Sequence, residues 1–395
     1  MNLFYLHDCG VVCALGRGKQ AVREALFDAH APRGVAPSEA FLGRSLHVGA
    51  VSAPLPDLSA LPVQLRGRNN ALVLAAADEI RATIDAVRAR YGAHRVAVVM
   101  GTSTTGIGEA EHATRALVAH GAYPSSYHYA QQELGSTAHV LAHVFELDGP
   151  CFTVSTACSS SAKAMISAAR LLDMGLADAV VCGGADSLCG FTIAGFSALE
   201  LISAERCNPM SRNRHGINIG EAAALFVMTR EATGARARLA GWGESSDAHH
   251  ISAPDPAGRG AIEAMRTALT QAGLTADAVD YVALHGTATP QNDAVESAAV
   301  AAVVGTTVPC ASTKPLTGHT LGAAGALSAA FAWLTLCDNA PGLLPPHWFD
   351  GALDDALPPL ALVAPGTRAP HAPRNILINT FAFGGNNASL LISAP

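Results

Sequence analysis

Short apolar runs alternate along this chain with longer stretches in which alanine and other small apolar residues recur at helical spacing. That is the pattern of an α/β protein whose strands are covered on both faces, since a strand wetted on one face would alternate apolar and polar positions. The runs at residues 95–100, 179–182, 281–284 and 375–378 predict strands, and 160–174, 258–273 and 322–336 predict helices. Several strand-like runs end in Gly-rich or polar turns, where α/β proteins build their sites. A softer connection at 230–238 divides the chain into an expected first part, 1–235, and second part, 236–395. Each part has strands and crossover helices, which suggests a duplicated arrangement, although no sequence repeat is visible. The Pro-rich stretches 53–63 and 341–365 read as surface connections.

Composition narrows the class. With 395 residues, 50% of them hydrophobic and only 14% charged, the chain can bury a large core, and a compact enzyme is the expectation. A net charge of −7 and the lack of any Lys/Arg run argue against a nucleic-acid partner. The N-terminal sequence has no secretory pattern, and the apolar runs at 71–77 and 322–337 are too short or too broken to span a membrane, so a cytoplasmic location is expected. The nine cysteines are scattered, with no CxxC pair and no zinc spacing, so reduced thiols and no metal are expected. No P-loop or dinucleotide fingerprint calls for a nucleotide or flavin cofactor.

Four segments carry candidate chemistry. Thr153-Val-Ser-Thr-Ala-Cys158-Ser-Ser-Ser161 places a cysteine between a turn and an Ala-rich helix, near unpaired amides and the positive end of the helix dipole. Both effects favour the thiolate, although a buried small residue is an equally common role for cysteine. His285-Gly-Thr-Ala-Thr-Pro290 puts an imidazole at a strand end, and Ser312-Thr-Lys314-Pro-Leu-Thr-Gly-His319 adds a second imidazole and one of only three lysines. Asn379-Thr-Phe-Ala-Phe383-Gly-Gly-Asn-Asn387 supplies a Gly turn whose amides can point into a site. A thiol that carries an acyl group, with neutral imidazoles donating to a developing oxyanion or enolate, suits carbon–carbon bond formation between thioesters.

In this order the segments resemble the β-ketoacyl-[acyl carrier protein] synthases of the elongating type, ketosynthases I and II, and the related polyketide condensing subunits. The likeness also takes in Gly10-Val-Val-Cys-Ala-Leu-Gly16, Asn208-Pro-Met-Ser-Arg-Asn-Arg-His-Gly216 and Gly220-Glu-Ala-Ala, and so runs over nearly the whole chain. It implies a thiolase-like fold, a duplicated five-layer α/β/α/β/α arrangement, with the site between the halves. It further implies Cys158 as the acyl-accepting nucleophile, His285 and His319 as the decarboxylation pair, and Lys314 as their support. The N–H groups of Cys158 and Phe383 would form the oxyanion hole, and the Phe383 ring would gate malonyl entry. Asp293 and Glu296 match acidic residues that brace the site, or are ordinary helix-start carboxylates.

The implied partners are an acyl carrier protein, whose phosphopantetheine arm arrives with the substrate, and a second subunit in a homodimer or a heterodimer with a chain-length-factor-like chain. Arg66 and Arg68, followed by Arg206 and Arg212, are the candidate carrier-binding residues. Ala288, Gln291, Asn292, Ala382 and Asn386 depart from the common family pattern without removing a reacting group, and the segments 206–214, 314–325 and 382–387 look like the enzymes of bacterial aryl polyene pathways. The rival reading is a noncatalytic chain-length-factor-like subunit, which Cys158 and both histidines oppose. Tyr123, Tyr127, His128, Tyr129, His139 and His143 could line a substrate tunnel or simply pack a loop.

Overall fold

The computed structural model describes residues 3–395, so the first two residues of the expected first part lie outside it. Its frame is a mixed sheet of ten principal strands: β1 (Phe4–Cys13), β2 (Val96–Gly101), β3 (Cys151–Val154), β4 (Ala179–Asp186), β5 (Ala222–Thr229), β6 (Ala237–Ser246), β7 (Tyr281–Ala283), β8 (Pro309–Ala311), β9 (Asn375–Ala382) and β10 (Asn386–Ser393). The first five run in the spatial order β3-β2-β4-β5-β1 and the second five in the order β8-β7-β9-β10-β6. These are the same order and the same sense: three parallel strands, then two antiparallel ones in each half. The duplication that the sequence only suggests is therefore explicit in the topology. A short antiparallel seam, Phe4–Leu6 of β1 against Ala237–Leu239 of β6, joins the two halves edge to edge.

Eight helices cover this frame: α1 (Arg68–Glu79), α2 (Ile107–His120), α3 (Ser136–Phe145), α4 (Ser160–Asp173), α5 (Gly190–Ala198), α6 (Arg259–Ala272), α7 (Pro290–Val304) and α8 (Ala324–Leu336). Strand alternation shows how the layers arise. In β5, Ala222, Ala224, Phe226 and Met228 face the central core, while Ala223, Leu225 and Val227 face the outer core under α1 and α3. In β10, Leu390 and Ile392 face the central core, and Leu391 faces a third core under α6 and α7. Since each strand is apolar on both faces, each half-sheet needs cover on both sides. Helices α4 and α8 lie in the middle and serve both halves, giving the five-layer α/β/α/β/α order.

Small residues make that middle layer possible. A Cβ on Gly325 of α8 would lie 2.8 Å from Ala162 of α4, so the two helices touch almost backbone to backbone. The Pro-rich segment 341–365, expected on the surface, is partly internal: Leu344 and His347 are buried. No helix among the described residues is long and apolar enough to cross a membrane.

Candidate active site

The equivalent helices α4 and α8 each follow the third strand of their half, and each is preceded by a turn that delivers one reacting group. The first turn presents Cys158 and the second His319. The nucleophile turn is strained, with Ala157 at φ 51°, and Ser160 Oγ ties it by donating to the Ala157 carbonyl at 2.6 Å. In the second turn the His319 N–H donates to the Asn218 carbonyl at 2.6 Å, and Gly220 N–H donates back to the His319 carbonyl at 2.9 Å. His319 Nε2 thereby comes to 2.9 Å from Cys158 Sγ, and the His285 ring stands edge-on to His319 with centroids 5.3 Å apart. The sulfur and a nitrogen of each ring all lie within 4.8 Å of one another.

The third turn, after β7, is held by buried acids. Glu296 accepts the N–H groups of His285 and Gly286, each at 2.6 Å, and burial pushes its carboxyl up to about 7. Asp293 accepts the N–H of Met210 at 2.8 Å and of Ala288 at 3.2 Å, and burial raises its pKa too. Both are fully enclosed and brace the 285–288 turn, which separates them from ordinary helix-start carboxylates. Ala288 has φ 62°, the left-handed region that explains why the family favours Gly at this place. Lys314 Nζ, also buried, donates to the carbonyl of His285.

Electrostatically the resting site is neutral. Burial lowers both histidines well below the usual imidazole value, with the nearby Lys314 charge adding to the effect. Burial raises Cys158 to about 12, outweighing Lys314 and the N–H groups of Phe383 and Cys158, which favour the thiolate. The expectation of a thiolate at the helix start is corrected here: the stabilising donors exist, but desolvation is larger. Both Nδ1 atoms lack a partner.

The hairpin β9–β10 brings the last piece. Its turn, Phe383-Gly384-Gly385, needs two consecutive left-handed residues, φ 77° and 71°, which only glycines adopt without cost. The turn puts the Phe383 N–H at Cys158 and stacks the Phe383 ring on Phe196 of α5 at 5.6 Å. Above the reacting groups opens a cavity of about 500 Å³, lined by Cys158, His285 and His319 below and by Phe196, Phe383 and Asn292 toward the mouth.

Other candidates fall elsewhere. Arg66 donates to the Leu61 carbonyl at 2.7 Å, and Arg68 makes a two-pronged ion pair with the fully buried Glu221, its Nε at 2.8 Å. Arg206 spends its guanidinium on the carbonyls of Pro315 and Val35. None of these three lines the cavity, and Arg212 is exposed. Tyr123 and Tyr129 are more than half exposed and none of the 123–143 cluster lines the cavity either, so the tunnel reading of that cluster fails for this chain alone.

Asp186 is the brace that the sequence did not reveal. Its buried carboxylate takes the N–H groups of Ser103, Thr104 and Gly322 and the hydroxyls of Thr102, Ser103 and Thr104, pinning the His319 segment to the first half. An acid closing the strand 179–186 was the only available signal.

A duplicated α/β frame with a thiol and two neutral imidazoles meeting at its central helices defines a thiolase-like condensing enzyme. Family comparison makes it particular: the β-ketoacyl synthase N-terminal domain matches residues 67–234 and the β-ketoacyl synthase C-terminal domain residues 236–347. The chain belongs to the β-ketoacyl synthase family. It is 37% identical over 274 residues to 3-oxoacyl-[acyl-carrier-protein] synthase 2 of Rhizobium meliloti, covering 62% of this chain and 61% of that protein, so it spans about three fifths of that relative. It is 31% identical to 3-oxoacyl-[acyl-carrier-protein] synthase 2 of Vibrio cholerae over 76% of each chain. The ketosynthase ApeO of Xenorhabdus doucetiae, solved in complex with its chain length factor ApeC, superposes with a TM-score of 0.94 at 42% identity, covering 100% of this chain and 98% of that one.

Proposed function

We propose that this chain is an elongating β-ketoacyl-[acyl carrier protein] synthase. The observation that carries this reading is the 2.9 Å approach of His319 Nε2 to Cys158 Sγ, with His285 edge-on beside it in one cavity. In the first half-reaction Cys158 attacks an acyl-carrier thioester, and His319 Nε2 takes the thiol proton and passes it to the departing carrier thiol. The N–H groups of Cys158 and Phe383 receive the tetrahedral oxyanion. In the second, the malonyl C–C bond breaks, CO2 leaves, and the electron pair forms a thioester enolate whose oxygen accepts from His285 and His319. The enolate carbon attacks the acyl-Cys158 carbonyl. Collapse expels the Cys158 sulfur, which regains a proton from solvent, and leaves a 3-oxoacyl-carrier two carbons longer.

Neutral imidazoles suit this role, because only an N–H donor that need not first lose a charge can hold the enolate oxygen in so buried a place. Lys314 and the Glu296 carboxylate position His285, and Phe383 with Phe196 forms the gate. No metal or resident cofactor enters the scheme; the phosphopantetheine arm comes with the carrier. The pathway reading is polyketide-type, of the aryl polyene kind, supported by the likeness to ApeO, and the location cytoplasmic.

The partners are an acyl carrier protein and a second thiolase-like subunit. Strand β3 lies at the sheet edge with Phe152 38% exposed, and Phe191 of α5 is also exposed, both suited to a subunit contact. Carrier docking is assigned to Arg66 and the exposed part of Arg68. Reversing Arg68 would strand the buried Glu221 charge, so Arg66→Glu is the interpretable variant; unchanged carrier-dependent turnover and unchanged salt dependence would remove that assignment. The activity is tested by intact mass of carrier-bound product from acyl-carrier and malonyl-carrier, with the chain alone and with a chain-length-factor partner. A two-carbon extension that disappears in Cys158→Ala is expected; no extension in either setting would refute the reading.

A further inference from the structure

One buried imidazole stands apart from the reaction path. His347, 3% exposed, sits on the segment between α8 and the C-terminal strands. Its Nδ1 accepts the N–H of Ser312 at 3.1 Å and its Nε2 reaches the Pro209 carbonyl at 2.9 Å. An Nδ1 that accepts leaves the proton on Nε2, so both bonds are made by one neutral tautomer. Burial, pushing the ring down to about 4, keeps it in that form.

These two bonds close a circuit. Ser312 Oγ donates to the Gly286 carbonyl at 2.7 Å, so Ser312 is tied to the turn that carries His285. At the other end of that turn the Ala288 N–H donates to Asp293, which also takes the N–H of Met210. Met210 follows Pro209, whose carbonyl returns to His347. Lys314, two residues beyond Ser312, reaches the His285 carbonyl from the same side. The backbone of His319, by contrast, is held by Asn218 and Gly220, outside the circuit.

We infer that His347 is a positioning residue for His285: it clamps Ser312 and the Pro209–Met210 segment around the 285–288 turn and so fixes the imidazole that faces the enolate oxygen. The inference rests on the ketosynthase reading of His285. A shift of about 1 Å in such a group can cost on the order of a hundredfold in rate. Because the Cys158–His319 pair is anchored elsewhere, the loss falls on malonyl decarboxylation and spares acyl transfer to Cys158.

The test uses the full chain and two assays, CO2 release from malonyl-pantetheine and acylation of Cys158 by an acyl-carrier, on wild type, His347→Phe, His347→Asn and His347→Gln. His347→Phe fills the space and cuts both bonds; decarboxylation slower by roughly tenfold to a hundredfold, with acylation within about twofold of wild type, is expected. His347→Asn, whose Oδ1 falls near the position of Nδ1, keeps an acceptor for Ser312 and restores most of the rate. His347→Phe decarboxylating like wild type, or losing both activities in equal measure, overturns the inference. If His347→Phe does not fold, the Asn and Gln variants decide: Asn faster than Gln by severalfold supports it, because only the Ser312 link leads directly to His285, and equal rates refute it. Wild type failing both assays would sink the ketosynthase reading instead.

Discussion

The two halves of the molecule have one topology and opposite chemistry. The first presents a nucleophile on a strained turn, Ala157 at φ 51°, directly at the start of α4. The second presents imidazoles on turns held by buried carboxylates and a buried lysine. A thiol needs access and nearby amides, which a helix start supplies. An imidazole that must stay neutral needs desolvation and a fixed ring, which a turn clamped from outside supplies. The same fold element thus serves two demands by changing what surrounds the turn, and the reaction becomes possible where α4 and α8 bring the two turns together.

That contrast can be broken at its ends. The largest effect is expected from His319→Ala, which removes the only group of the second half bonded to the Cys158 thiol; both acylation and decarboxylation should fall by roughly a hundredfold to ten-thousandfold in single-turnover assays. His285→Ala should lower decarboxylation by on the order of a hundredfold while acylation stays within about threefold, since His285 touches the thiol only through His319. Equal losses in the two assays would mean that the halves do not divide the labour as described.

Two milder changes sharpen it. Gly325→Ala drives a Cβ into Ala162 and prises α4 from α8; thermal unfolding should show a loss of roughly 1–3 kcal/mol, and extension should slow as the Cys158–His319 approach lengthens. The smallest effect concerns pH. The Glu296 carboxyl has a folded pKa of about 7, above its model value of 4.5, so folding holds a proton that the unfolded chain has released. Its contribution to stability is complete below about pH 4.5 and is lost as pH rises through about 7. Glu296→Gln cannot titrate, so stability measured across that window should decline less with rising pH than in wild type; parallel curves would contradict the assigned shift.

Much of this was legible in the sequence because the reacting groups sit in contiguous motifs at strand ends. Cys158, His285, Lys314, His319 and Phe383 could each be located from local residues, and the strand at 179–182 is recovered within an eight-residue strand that extends to Asp186. What escaped was pairing at a distance. Asp186 and His347 look like any polar residue in a strand or a Pro-rich stretch until the fold brings Gly322 and Ser312 against them. Arg68 and Arg206 looked like free surface charge for the same reason, since Glu221 and the Pro315 carbonyl lie more than a hundred residues away. Charge balance went astray too, because helix-dipole reasoning carries no information about how deeply Cys158 is buried.

The most direct test of the account is the intact mass of the chain after incubation with an acyl-carrier alone, followed by mapping of the modified residue. The account requires a single acyl group on Cys158, absent in Cys158→Ala, retained in His285→Ala and strongly slowed in His319→Ala. Acylation of another cysteine, or acylation indifferent to His319, would contradict it.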